Sequence, residues 1–288
     1  MADLWRGSLV VVAASFLGAG VACAIVLWWA GVLPPLFFSD ASYQYCNVLK
    51  VPVHGTIVTV RPEASPASIS PEDPEDDAYT LPPTDPTYAV SSEIEEMLRA
   101  AATDPTIKGL LVDIESYGGG PVAGDEIASA IRRFGKPSAA VIHEIGASSG
   151  YLAAAAADIV FASEDSSVGS IGATGSFIDQ SKKNEKEGIT YHQLSSAPYK
   201  DTFSPDKPLT EAERALIMRD IKISHDNFVR LIAEYRNQPI EKIAAVADGS
   251  TMMGKSALEA GLIDEIGGTE EALGYLEQAI GEPVAMCW

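Results

Sequence analysis

Between Arg6 and Asp40 the chain carries no charged residue, and Ser8 to Leu36 is almost wholly apolar. Nothing else in the sequence restricts folding as tightly. Hydrocarbon offers no partner to backbone N–H and C=O groups, so such a run must close its own hydrogen bonds as a helix. Even residues 8–32, at ~1.5 Å per residue, exceed the ~30 Å hydrocarbon thickness. Trp28 and Trp29 lie near one end, where amphipathic rings favour the interface, and Pro34 and Pro35 stop the helix. A cleavable leader would have a shorter apolar core and a small-residue cleavage site. A lipoprotein-type cleavage before Cys23 would leave a long apolar stretch behind it, and a buried core helix would be shorter. The expectation is therefore one N-terminal transmembrane anchor over 8–36, with a short tail at 1–7 and a linker at 37–52. Arg6 precedes the helix and Lys50 is the first cation after it. That asymmetry favours a single pass through a plasma (inner) membrane with the rest of the chain on the extracytoplasmic side.

The remainder is long enough for one sizeable core, assigned to residues 53–280 with a tail at 281–288. The net charge of −20 argues against nucleic acid and against electrostatic docking on anionic lipid. Part of that charge is local. Residues 62–88 hold seven acidic side chains, seven prolines and no Lys or Arg, which predicts a flexible solvated loop. The three cysteines, Cys23, Cys46 and Cys287, form no CxxC pair, so no zinc site or disulfide framework is indicated. Each reads as an idle or buried thiol, with a Cys46–Cys287 bridge left open.

From Gly55 onward the pattern alternates. Gly55–Val60 reads as a first strand, Ser91–Ala102 as a helix with Ile94, Met97 and Leu98 on one face, and Lys108–Glu115 as a strand buried on both faces. A glycine loop at 118–120 leads to a helix at Ala123–Phe134. Ser138–His143 and Ile159–Ala162 follow as strands around a small-residue helix at Ser149–Ala157. A charged helix near 178–188, a strand near 189–194, a long helix over 210–236 and short helices complete the chain. Such alternation implies an α/β domain with a parallel sheet and right-handed crossovers.

Three motifs carry chemistry. In Glu115-Ser-Tyr-Gly-Gly-Gly-Pro-Val122, glycine lets backbone approach a ligand and aim an N–H at it, as an oxyanion hole requires; an ordinary tight turn has the same composition. In Gly146-Ala-Ser-Ser-Gly-Tyr151, a serine meets a helix N-terminus, where free N–H groups favour negative charge; a capping serine would look alike. In Tyr199-Lys-Asp-Thr-Phe-Ser-Pro205, apolar neighbours could desolvate Lys200 towards its neutral form, whereas Asp201 would oppose that. A lone lysine is ordinarily a solvated one. The histidines, His54, His143, His192 and His225, stand in no local pairing with a serine, and His143 at a strand end reads as core packing.

Taken in order, these motifs resemble the signal peptide peptidase A (protease IV) family of serine–lysine peptidases. The likeness runs from about Val53 to Gly268 and includes His54-Gly-Thr-Ile, Gly169-Ser-Ile-Gly, Ala247-Asp-Gly-Ser and Gly261-Leu-Ile-Asp-Glu-Ile-Gly-Gly. It implies a Clp-protease/crotonase-like fold of repeated β-β-α units. It also implies Ser148 as nucleophile, Lys200 as general base, Ser170 as the lysine-orienting hydroxyl, and the N–H groups of Gly119 and Ser149 as oxyanion donors. No metal or cofactor is implied. The implied substrates are signal peptides and other membrane-associated peptides, and the implied assembly is a homo-oligomeric ring. Two departures are visible: the family's Asn-Ser-Pro-Gly-Gly reads Glu115-Ser-Tyr-Gly-Gly, and Ser149 stands where glycine is usual. Two rival readings remain at this stage. One is acyl-CoA chemistry on the same scaffold with Glu115 or Glu144 as acid and base; the other is a non-catalytic membrane scaffold.

Overall fold

The computed structural model describes residues 46–62 and 88–287. The expected anchor at 8–36 and most of the acidic loop lie outside the described residues. Among those described, no helix is long and apolar enough to cross a membrane.

In chain order the elements are β1 (Val48–Val58), β2 (Tyr88–Val90), α1 (Ser91–Thr103), β3 (Gly109–Gly119), α2 (Pro121–Arg133), β4 (Ser138–Ala147), α3 (Ser149–Ala155), β5 (Ile159–Ala162) and β6 (Ser167–Gly169). They continue with α4 (Ser181–Lys186), α5 (Glu211–Tyr235), α6 (Ile240–Ala244), β7 (Thr251–Met253), α7 (Gly254–Ala260), β8 (Glu265–Ile266), α8 (Thr269–Ile280) and β9 (Met286–Cys287). The sheet runs β2-β1-β3-β4-β5-β8, with β6 on the end of β4, β7 on β6 and β9 on β1. Among the described strands, only the β6–β7 pair is antiparallel. This is the α/β class that the alternating pattern predicts.

The uninterrupted apolar runs follow from cover on both faces. On one face Val53, Val112, Ile114 and Ile142 meet Leu98, Ile127, Ile131 and Leu152 from α1, α2 and α3. On the other, Val48, Leu111, Val141 and Phe161 meet Ala272 and Leu276 of α8. The sheet takes in more chain than the sequence pattern assigns to the domain. β1 begins at Val48, inside the expected linker, and β9 in the expected tail pairs with it. Cys46 and Cys287 are joined in a disulfide with Cα atoms 5.4 Å apart, so neither is an idle thiol. No strand forms at 189–194; those residues are exposed and pair with no strand among the described residues.

Beyond the reach of α8, the second face turns polar. Buried Asp113 accepts from Lys50 Nζ (3.0 Å) and His54 Nε2 (2.9 Å) on one oxygen, and from His143 Nε2 (2.7 Å) on the other. His143 is therefore no core-packing residue. β4 runs four residues past it, and its ring is half-exposed and bound to Asp113. Burial pushes the Asp113 carboxyl up, but the hydrogen bonds from His143 and Lys50 outweigh this and hold it below its ordinary value. A carboxyl lowered by folding stabilises the protein above its unfolded value near 3.8 and loses that contribution as pH falls through the folded one. Asp113→Asn should destabilise the protein by about 2–4 kcal/mol at neutral pH. The gap in denaturant midpoint between variant and wild type should narrow as pH falls below 3.8.

Candidate active site

Two parallel strand ends bring the central serines together. β4 and β6 pair through Ala147 and Gly169, so the next residues, Ser148 and Ser170, leave the sheet side by side. Both have φ of 52°, in the left-handed region. Ser148, with ψ −125°, holds a conformation that a type II′ turn ordinarily gives to glycine. Such a backbone costs on the order of 1–3 kcal/mol and persists only where its surroundings enforce it. Here the Ser148 N–H donates to Gly169 O (2.8 Å), and the Ser148 carbonyl accepts from Leu152 N–H (3.0 Å) in α3. Ser170 is held likewise: its N–H donates to Ser250 O (2.8 Å) and its hydroxyl to Gly249 O (3.0 Å).

Ser148 is the N-cap residue of α3, yet its hydroxyl makes no capping bond. Ser149 differs. It is buried, and its hydroxyl lies against the carbonyls of Gly119 (3.5 Å) and Gly120 (3.3 Å). Of the two adjacent hydroxyls, Ser148 is the partly exposed one with no bond among the described residues. The Ser149 N–H begins a helix and has no residue four back to accept it within that helix. α3 has only seven residues, so the directed N–H groups matter here more than a macrodipole.

The glycine turn closes the other side. A Cβ at Gly118 would lie 2.8 Å from the Ser148 Cβ, and one at Gly119 only 2.1 Å from Ile57 O. The turn is thus wedged between β1 and the serine. Gly119, Ser148, Ser149 and Ser170 converge on one spot. Glu115 Oε2 accepts from the Glu144 N–H (2.9 Å).

Lys200 makes no hydrogen bond to this group among the described residues. It lies in the turn-rich stretch before α5, exposed to solvent, and among the described residues nothing hydrogen-bonds its ammonium. Its segment is nevertheless held. Tyr191 donates to Asp201 (2.8 Å), Phe203 meets Phe177 edge to face (centroids 6.1 Å apart), and Asn184 donates to Asp206 (2.8 Å). Buried Glu213 gathers the end of the segment: it accepts from Lys207 Nζ (2.7 Å), from the Thr210 N–H and hydroxyl (2.9 Å each), and more loosely from Thr202 (3.4 Å).

The sequence profile described as Peptidase family S49 matches residues 130–281, more than half of the chain. The chain belongs to peptidase family S49. The matched part of this S49 chain contains Ser148, Ser170 and Lys200; the glycine turn lies just before it. A candidate protease of Methanocaldococcus jannaschii is 33% identical over 177 residues, covering 61% of this chain and 57% of that protein. A candidate signal peptide peptidase SppA of Enterococcus faecium is 34% identical over 184 residues, covering 63% and 54%. Protease 4 of Haemophilus influenzae is 26% identical over 202 residues, covering 69% and 33%. The S49 chain thus spans just over half the length of the first two relatives and a third of the last. Among solved structures, a ClpP1 mutant from Listeria monocytogenes aligns with 77% of this chain and 93% of its own, at 17% identity and a TM-score of 0.46.

Three features of this S49 site are missed by the sequence reading: the Glu213 anchor, the Ser149 contact with the glycine turn, and a buried Ser116. For Glu213 one clue existed, since Thr210-Glu-Ala-Glu213 is a capping-box pattern and the box forms. Hydrogen bonds from Lys207, then from Thr210, bring the Glu213 carboxyl down from its ordinary 4.5 to about 2. Its contribution is whole above pH 4.5 and fades as pH falls towards 2. Hydrogen–deuterium exchange, corrected for the intrinsic rate, should show protection of residues 202–210 falling across that window in wild type. In Glu213→Gln that protection should be low at every pH.

Proposed function

We propose that this chain is a membrane-anchored serine peptidase in which Ser148 is the nucleophile and Lys200 the general base. The observation that carries this reading is the backbone of Ser148, held at a glycine-like conformation between Gly118 and Ser170 with its hydroxyl uncommitted. A strained, enforced serine at the end of a strand is the hallmark of a presented nucleophile rather than of a packing residue. In the proposed reaction a neutral Lys200 amine takes the Ser148 proton as Oγ attacks a peptide carbonyl. The N–H groups of Gly119 and Ser149 receive the oxyanion, each worth roughly 3 kcal/mol. The resulting ammonium then protonates the leaving nitrogen, and the amine so restored activates the water that hydrolyses the acyl-enzyme. Ser170 donates to Gly249 O, which leaves its lone pairs to accept from the amine and orient it.

The same reading requires a second copy of the chain. A base lysine must be shielded from water, and within one chain Lys200 is solvated. Its segment is lined with exposed apolar groups, among them Ile178 (78%), Leu194 (95%), Tyr199 and Phe203. An adjoining protomer would cover these and dehydrate the amine, and repetition of that contact closes a ring. The charge-free run at 8–36 supports a membrane tether, with signal peptides or other membrane-associated segments as substrates. The Cys46–Cys287 disulfide supports an extracytoplasmic, oxidising location for the domain.

Ser148→Ala and Lys200→Ala should each abolish peptide hydrolysis with the fold intact. Full activity in Ser148→Ala would refute the nucleophile. Co-assembly of the two inactive variants in equal amounts should restore about a quarter of wild-type activity if serine and lysine come from different protomers. No recovery would mean that each site is completed within one chain. Peptide mapping of membranes without reductant should recover the Cys46 and Cys287 peptides linked, whereas free thiols at both would oppose the extracytoplasmic placement.

A further inference from the structure

Ser116 is fully buried beneath the glycine turn, and its hydroxyl both donates and accepts there. Its hydroxyl donates to Gly55 O in β1 (2.6 Å) and accepts from the Gly118 N–H (3.0 Å). Both register irregularities of the central sheet meet at this level. Between the pairs His54–Glu115 and Thr56–Gly118, Gly55 alone opposes Ser116 and Tyr117. On the other side, pairing of β3 with β4 is interrupted between Ile114 and Ser116. A bulged strand has lost the ladder bonds that would otherwise set its path. The Ser116 hydroxyl replaces them with a bridge from β1 to the turn.

That bridge acts on the reacting centre through short backbone contacts. Gly118, whose N–H it holds, has φ of 99° and abuts the Ser148 Cβ. Behind it, Gly150 packs so closely on Ser116 that a Cβ there would sit 2.9 Å from the Ser116 carbonyl oxygen. One buried serine therefore touches both the turn that carries the Gly119 N–H and the helix that carries the Ser149 N–H.

We infer that Ser116 is a positioning residue for the oxyanion hole: it sets the Gly118–Gly119 turn at the height of the Ser148 hydroxyl without touching substrate. Oxyanion donors act only if already placed where the tetrahedral oxygen will lie, and a displacement on the order of 1 Å is worth about 100-fold in rate. Ground-state binding of a peptide does not depend on that placement. Loss of the hydroxyl consequently acts on kcat and spares KM.

The inference rests on Ser148 as nucleophile, so the test begins by labelling wild type with a peptide phosphonate and mapping the modified residue. Absence of label on Ser148 overturns both readings together. With Ser148 labelled, Ser116→Ala should lower kcat about 10- to 100-fold with KM within about twofold. A peptide boronate, whose oxygen enters the hole after addition of the serine, should lose affinity in parallel. Binding of an uncleaved peptide, measured in a Ser148→Ala background, should not change. A role confined to stability would lower the melting temperature and leave the ratio of boronate to peptide affinity as it was. Ser116→Cys, nearly the same size but a poor donor, gives the same kinetic split should the alanine variant fold badly. A kcat within about twofold of wild type in either folded variant overturns the inference while leaving Ser148 in place.

Discussion

The parallel pairing of β4 with β6 is the constraint on which the rest depends. Ala147 and Gly169 face each other across that pair, and the two chains turn out of the sheet at the same level with the same φ. The proximity of Ser148 to Ser170 is therefore set by backbone register and not by any bond between their side chains. The bond from Ser148 N–H to Gly169 O and that from Ser170 N–H to Ser250 O hold two unfavourable backbones in place. Ser250 directly precedes β7, the strand antiparallel to β6. A feature of the last quarter of the chain thus helps hold a conformation in its middle.

Close approach explains the choice of small residues around this point. Gly119 lies on the backbone of Ile57, Gly118 on Ser148, and Gly124 on Ser149, where a Cβ would come within 2.6 Å of the serine Cβ. The last contact accounts for one departure from the family motif. A serine at 149 in place of the usual glycine needs space, and Gly124 in α2 supplies it. The side chain then contacts the carbonyls of the glycine turn, linking the two elements expected to supply the oxyanion donors. Serine is compatible with the site because its neighbour across the helix pair, Gly124, has no Cβ.

Much of the framework was legible because it is written in local pattern. Leu110-Leu111-Val112 reads as a strand covered on both faces, and α8 on one face with α1, α2 and α3 on the other provides that cover. The catalytic candidates were legible only as a set of motifs, and the structure groups four of the five. What escaped is what depends on distant partners. His143 is apolar-strand context by sequence, yet Asp113, thirty positions earlier, claims its ring. Cys46 and Cys287 are separated by 241 positions, and only the pairing of β9 with β1 brings them together. The pattern at 189–194 suits a strand, but no neighbour offers it a ladder, and the tie from Tyr191 to Asp201 takes over. Ser116 sits in a turn motif and looks like any turn serine until the bulges above it are seen.

The structure also divides the molecule unequally between rigid sheet and exposed arm. α5, at ~1.5 Å per residue, is roughly 37 Å long. Its apolar contacts with the core come from Val229, Ile232 and Ala233 near its C-terminal end, while Met218 and Ile223 stay exposed. The segment bearing Lys200 is attached to the other end through Glu213, so its position is set by polar bonds at a helix start and not by the hydrophobic core. On the proposed mechanism this has a physical consequence. The nucleophile and the oxyanion donors are built by packing and are present in every folded chain, whereas the base depends on water being removed from an arm that one chain leaves wet. Hydrolysis is then tied to assembly, because the barrier to removing a proton from Ser148 falls only when a neighbouring surface strips the solvent from Lys200.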